Sequence, residues 1–132
     1  MSRAWTQTLL VVRDVSTSSR FYAELLDAES GDAPHGYAQI VSDGELVLQV
    51  HDSGTEHHHG PLADPDLPVG NGVLVWFEVS DFEAAVERAR RLGAPIERDV
   101  HLNPNAQQHE LWLRDPDGYL VVLAGPSPYR PR

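Results

Sequence analysis

The chain states nearly the same pattern twice, and that repetition limits what it can fold into more than any composition figure does. Val12-Arg13-Asp14-Val15 recurs as Val79-Ser80-Asp81-Phe82, an offset of 67 residues. Each copy follows an apolar, β-branched run and opens a helix-like segment ending in leucine, at Leu25-Leu26 and at Leu92. Downstream, His35 stands nine residues before Gly44 of Ser-Asp-Gly, and His109 stands nine before Gly118 of Pro-Asp-Gly, now at an offset of 74. The seven extra residues fall around Val100 to Ala106. Self-similarity of this kind marks one supersecondary unit used twice.

Periodicity and punctuation give the unit its elements. Thr6 to Arg13 reads as a strand, and Ser16 or Thr17 can cap a helix that runs to about Leu26 with Phe21, Tyr22, Leu25 and Leu26 as its apolar stripe. Short strands follow near 29–31, 37–41 and 46–51, the last two turned by Asp43-Gly44. In the second copy, 73–79 is a strand, and Ser80 with Glu83 fits a capping box. Phe82, Ala85, Val86, Ala89 and Leu92 recur at helical spacing until Gly93 and Pro95 stop the helix. Strands near 96–100, 110–114 and 119–124 complete it. The expected architecture is α+β: two βαβββ modules, at about 5–52 and 71–126, joined by a Gly/Pro/Asp/His-rich linker at 53–70. A sheet with one helix on one face leaves its other face bare, and two such faces forming a curved mixed sheet would enclose a cleft.

Composition removes several function classes. The chain has 132 residues, enough for one domain's core, and 41% of them are hydrophobic. No apolar run is long enough for a membrane span, and no secretory signal opens the chain, so a cytoplasmic location is expected. Cysteine is absent, which excludes disulfides and thiolate chemistry. Ten basic residues, all Arg, face twenty acidic ones for a formal charge of -10. No basic stripe suits nucleic acid or an anionic membrane, and without Lys no Schiff base can form.

The double βαβββ pattern, with Asp14 and Asp81 at strand ends and Asp115-Pro116-Asp117-Gly118-Tyr119 before the last strand, resembles the vicinal oxygen chelate superfamily of glyoxalases, dioxygenases and antibiotic-resistance proteins. That resemblance implies four metal-ligand positions, usually His, Glu or Gln, and homodimers whose clefts are shared between chains. Carried over by motif spacing, the four positions are Gln7, Gln49 (or His51, one strand turn on), Leu74 and Val122. Leu and Val offer no lone pair to a divalent ion, so no metal and no other cofactor is expected. His57, His58 and His59 lie in the linker with no third ligand specified and read as a solvated patch. His35 and His109 match across the repeat and suggest structural hydrogen bonding. His101, Asn103 and Asn105 lie in the seven-residue insertion, which is either a lid over the cleft mouth or a plain turn.

Strand alternation assigns the faces. With Leu74 on the cleft side, Trp76 and Glu78 join it, and Val73, Val75, Phe77 and Val79 turn to the helix. Leu111 and Leu113 turn to the helix as well, which sends Glu110, Trp112 and Arg114 to the cleft with Leu120, Val122 and Ala124. Gln7, Leu9, Val47, Gln49 and His51 take the cleft side in the first module. Two indoles, aliphatic walls and a few polar groups suit a sizeable, partly planar organic molecule. The alternative is that Trp76 and Trp112 fill the hollow themselves or sit in a dimer interface. The expected ligand contacts are thus Gln7, Gln49, His51, Leu74, Trp76, Glu78, Asn105, Glu110, Trp112 and Val122, with no catalytic residue. The expected function is metal-free sequestration of a bulky, apolar or aromatic natural product, of the kind that confers antibiotic resistance. The alternative is a lyase or oxidoreductase with a non-standard or absent metal, using Glu78, Glu110 or His51 as base.

Overall fold

The computed structural model describes residues 2–33, 36–54 and 61–129. His35 and the His57–His59 run lie outside the described residues, as do residues 55–60 of the expected linker. The chain divides into two compact units, the first ending at Leu67 and the second beginning at Pro68.

The first unit contains β1 (Leu9–Val12), α1 (Val15–Leu26), β2 (Glu29–Ala33), β3 (Tyr37–Ser42) and β4 (Glu45–Asp52), in the sheet order β1-β4-β3-β2. The second repeats the arrangement with β5 (Leu74–Glu78), α2 (Phe82–Leu92), β6 (Ile96–Asn103), β7 (Gln108–Arg114) and β8 (Leu120–Ala124), in the order β5-β8-β7-β6. In each sheet the outer strand before the helix pairs in parallel with the last strand, and the other pairs are antiparallel. The βαβββ expectation is therefore met in both copies.

Alternation sorts each sheet into a helix-covered face and a second face. In the first unit Leu10, Val12, Ala38, Ile40, Leu48 and Val50 are buried on the α1 side. In the second, Val75, Leu111, Leu113, Val121 and Leu123 are buried on the α2 side. The stripe of α1 is narrower than expected: Tyr22 and Leu25 are buried with Ser18 and Ser19, whereas Phe21 and Leu26 are only half-buried. Ser19 satisfies its hydroxyl by donating to the Ser16 carbonyl at 3.3 Å.

Both expected helix caps are corrected. Neither Ser16 nor Thr17 caps α1; Asp14 does, accepting the Thr17 amide at 3.3 Å from an extended backbone. Asp81, not Ser80, caps α2 and accepts the Ala84 amide at 3.1 Å. The Asp repeated at an offset of 67 residues is the cap in each copy, because each helix begins one residue after it. Left-handed residues close both helices, Asp27 at φ 52° and Gly93 at φ 67°. No helix among the described residues is long and apolar enough to cross a membrane.

The DPDGY turn is held by Asp115, which is buried and accepts the amides of Asp117 and Tyr119, each at 2.9 Å. Gly118 at φ 98° reverses the chain there, in a conformation few side chains tolerate.

Replacing Asp14 by Ala is expected to lower stability by about 1 kcal/mol, the usual loss of an N-cap, while Ser16→Ala and Thr17→Ala each change it by less than about 0.5 kcal/mol. Urea midpoints of the three variants test this ordering.

Candidate functional site

Three strands of the second sheet pair without a register shift, so their side chains stack into straight rows. Trp76 of β5 lies beside Val122 of β8, Val122 beside Trp112 of β7, and Trp112 beside Arg98 of β6. The next row runs Glu78, Ala124, Glu110, His101. Leu74, Leu120 and Arg114 form the row on the other side. This is the face away from α2. Trp76 remains 44% exposed, while Val122 between the two indoles is fully buried.

β6 departs from simple alternation. Its pairing with β7 shifts between Ile96 and Arg98 and again between Arg98 and His101, so Arg98 and His101, three residues apart, share one face. The strand also extends to Asn103, which corrects the reading of His101 and Asn103 as part of a loop. The extra residues of the second copy lengthen a hairpin whose turn is 104–107, with Gln107 at φ 53°.

Glu110 is the polar centre of this face. Its side chain is 1% exposed, yet it has donors on both oxygens. Trp112 Nε1 donates to Oε1 at 3.0 Å and Asn103 Nδ2 donates to Oε2 at 2.8 Å. His101 Nε2 lies 3.3 Å from Oε1. His101 Nδ1 is 2.8 Å from the Asp99 carbonyl, which can only accept, so that nitrogen carries a hydrogen.

Asp99 is itself anchored. The Arg90 guanidinium hydrogen-bonds its carboxylate at 2.8 Å and, with the Val100 amide, holds that carboxyl below its ordinary value. Asn103 serves the turn and the site together, since its Oδ1 accepts the amides of Asn105 at 3.0 Å and Ala106 at 3.2 Å.

A hollow of about 380 Å³ opens over this face. Of the expected ligand contacts, Leu74, Trp76, Asn105, Glu110 and Trp112 line it, and Val122 lies in the same row as both indoles. Glu78 shares the row of Glu110 but does not line the hollow. Arg98, His101, Leu102, Asn103 and Pro104 line it too and were not among the expected contacts. Arg114, expected in the cleft, is drawn to Glu97 at 3.3 Å and to the Gly118 carbonyl at 3.1 Å. His109 is exposed, its ring 6.2 Å from that of Phe82 and its carbonyl accepting the Gly125 amide at 2.9 Å.

Gln7, Gln49 and His51 belong to the first unit, where the face away from α1 is an amide and phenol network. Gln49 Nε2 donates to the Gln7 carbonyl at 3.0 Å, and Gln49 Oε1 accepts the Tyr37 hydroxyl at 2.5 Å. Gln39 donates in turn to Tyr37 at 3.1 Å. His51 Nδ1 is 2.7 Å from the Asp52 carbonyl.

The residues at the four ligand positions do not fit a divalent ion. Gln49 has committed both ends of its amide to neighbours, Leu74 is an exposed aliphatic, and Val122 is enclosed between indoles. Neutral amides and alkyl groups lack the anionic oxygens or imidazoles such ions select, and His51, the alternative to Gln49, would be the one imidazole among them, with its Nδ1 2.7 Å from the Asp52 carbonyl. Among the described residues no three His, Asp or Glu side chains converge elsewhere.

A sequence model of the Glyoxalase/Bleomycin resistance protein/Dioxygenase superfamily matches residues 5–123. The chain belongs to that superfamily. Lactoylglutathione lyase of Pseudomonas putida is 33% identical over 103 residues, 74% of this chain, and the chain spans about half (54%) of that relative's length. Among solved structures, a glyoxalase/bleomycin resistance protein/dioxygenase from Nocardioides superposes with TM-score 0.71 at 23% identity, covering 100% of this chain and 92% of that one. The fosfomycin resistance protein FosX of Mesorhizobium loti gives 0.66 at 16% identity, covering 97% and 96%. At these identities the structural matches establish a shared fold.

Glu110→Gln is expected to lower stability by about 2 kcal/mol and to change the near-UV circular dichroism of Trp112, because an amide sets one donor against the Asn103 donor. Glu97→Gln, at an exposed ion pair, is expected to lower it by less than about 1 kcal/mol with the aromatic signal unchanged. Chemical denaturation and near-UV spectra of both variants check the contrast.

Proposed function

We propose that the hollow of the second unit binds a compact, largely planar and apolar organic molecule, and that the protein acts by holding it rather than by transforming it. The carrying observation is the row Trp76, Val122, Trp112: two indoles with an alkyl group between them, where the resemblance implies a metal ligand at Val122. Aromatic faces and aliphatic walls gain free energy from covering a flat apolar guest, and a few polar groups at the rim fix its orientation. Covering roughly 300 Å² of apolar ligand surface at about 25 cal/mol per Å² offers about 7 kcal/mol before ordering losses. A volume of about 380 Å³ is near the lower end for ligand sites and favours a ring system of two or three rings over a large antibiotic. We assign the protein to drug sequestration, with antibiotic resistance as its biological outcome.

Lyase activity is the reading that the Pseudomonas putida relative brings. Its requirements are poorly served here. Among the described residues no ligand set suits an ion, and each Glu110 oxygen already accepts a hydrogen bond, from Trp112 and from Asn103, which leaves it less capacity to take a proton from a substrate.

In a Trp5→Phe background only Trp76 and Trp112 emit. Titration with planar polycyclic natural products is expected to quench that emission, and Trp76→Ala or Trp112→Ala is expected to weaken binding at least tenfold by calorimetry. Unchanged affinity in both variants counts against the hollow as the site. Protein incubated with Zn²⁺, Ni²⁺, Mn²⁺ or Fe²⁺ and then dialysed is expected to retain no stoichiometric ion by elemental analysis. One ion per chain that survives replacement of His57, His58 and His59 by Ala overturns the metal-free reading.

A further inference from the structure

Arg98 stands apart from the guanidiniums near it. Arg90 is paired with Asp99 at 2.8 Å, and Arg114 with Glu97 at 3.3 Å and the Gly118 carbonyl at 3.1 Å. The Arg98 guanidinium has no ion pair or hydrogen bond among the described residues; its contact is with Trp112, the guanidinium carbon lying 5.9 Å from the ring centroid. It lines the hollow at the end of the row that holds both indoles. In a chain with twenty acidic residues and ten basic ones, carboxylate partners abound, yet this Arg is directed to an aromatic ring at a cavity edge.

We infer that Arg98 selects the guest's charge, and that the ligand is a planar aromatic molecule carrying a carboxylate. This rests on the hollow being a binding site, and it names the ligand class that site takes.

The chemistry follows from the row. A guanidinium is a planar fork of N–H donors that matches a carboxylate in two parallel hydrogen bonds, and its contact with Trp112 holds that fork beside the aromatic surface. An aromatic acid lying along Trp76 and Trp112 therefore has its anionic end at Arg98. Glu110 does not reverse this preference, because its oxygens face Asn103, Trp112 and His101 and its side chain is 1% exposed, so a ligand cation finds few free lone pairs there. The chain's formal charge of -10 repels anions at long range, but that field is screened beyond about 8 Å at physiological salt, whereas a contact with Arg98 is not.

Three matched probes separate the possibilities: 2-naphthoate, 2-naphthamide and 2-naphthylmethylammonium, titrated by calorimetry into the wild type, Arg98→Met and Arg98→Lys. The expected result is naphthoate binding at least tenfold more tightly than the amide and the ammonium probe most weakly. Arg98→Met is expected to bring acid and amide within about twofold of each other, with the amide's own affinity little changed. Arg98→Lys is expected to retain part of the preference, since an ammonium keeps the charge but loses the fork. Amide binding as well as acid, ammonium binding best, or a preference that persists in Arg98→Met each overturns the role of Arg98 while leaving the hollow a binding site. No binding by any probe, with Trp76 and Trp112 emission unmoved, overturns the hollow itself.

Discussion

A carboxylate removed from water must find donors, and most of the second unit's open face is arranged around Glu110 for that reason. Its two donors come from Asn103 near the end of β6 and from Trp112 on its own strand, and the His101 ring lies against it from the same strand as Asn103. Each of these bonds also places something else. The bond to Trp112 sets the tilt of the indole that lines the hollow. The bond to Asn103 ties the turn of the long hairpin to the sheet, because the same side chain accepts two turn amides. The contact with His101 fixes a ring whose other nitrogen is held by the Asp99 carbonyl. Replacing one partner of such a network leaves buried groups unmatched, so the arrangement is set as a whole rather than residue by residue.

Duplication supplies the same backbone twice and different chemistry on each copy. The first unit's free face carries Gln39, Tyr37 and Gln49, whose polar groups are absorbed by one another and by the Gln7 carbonyl. The second unit's face carries indoles, a guanidinium and one compensated carboxylate. Both faces are the unhelical sides of β-sheets with the same strand order, so topology alone does not distinguish them. Function on a shared scaffold resides in these side chains.

Much of this was legible in the sequence where strands pair regularly. β5, β7 and β8 keep register, so period-two alternation placed Leu74, Trp76, Glu110, Trp112 and Val122 on one face and Leu111 and Leu113 on the other. β6 carries two shifts, and alternation counted along it cannot bring Arg98 and His101 to the same side. Reading its last residues as a loop hid them further: the Asn and Pro there look like turn chemistry, and Asn103 does make a turn, but from within the strand. The caps failed for a different reason. Ser80 and Glu83 satisfy a capping-box spacing, yet the helix begins one residue later, where Asp81 stands outside the helical conformation and supplies the acceptor. The recurrence of that Asp across the repeat was itself the signal of its role.

Val122 shows what an alkyl side chain does at a position where the resemblance implies a metal ligand. An ion-binding carboxylate on β8 would need to present lone pairs to an ion and have its charge met. Between Trp76 and Trp112 a carboxylate would meet two indole rings rather than a pair of donors like the one that Asn103 and Trp112 provide for Glu110 one row away. An alkyl group there instead spaces the rings and continues the apolar surface beneath them. The row is thus consistent along its length: aromatic, aliphatic, aromatic, then a cation that rests on the last ring. A hollow of this composition offers area and shape, and its guanidinium stands at the end of the row, where a charge avoids the desolvation penalty of a buried ion.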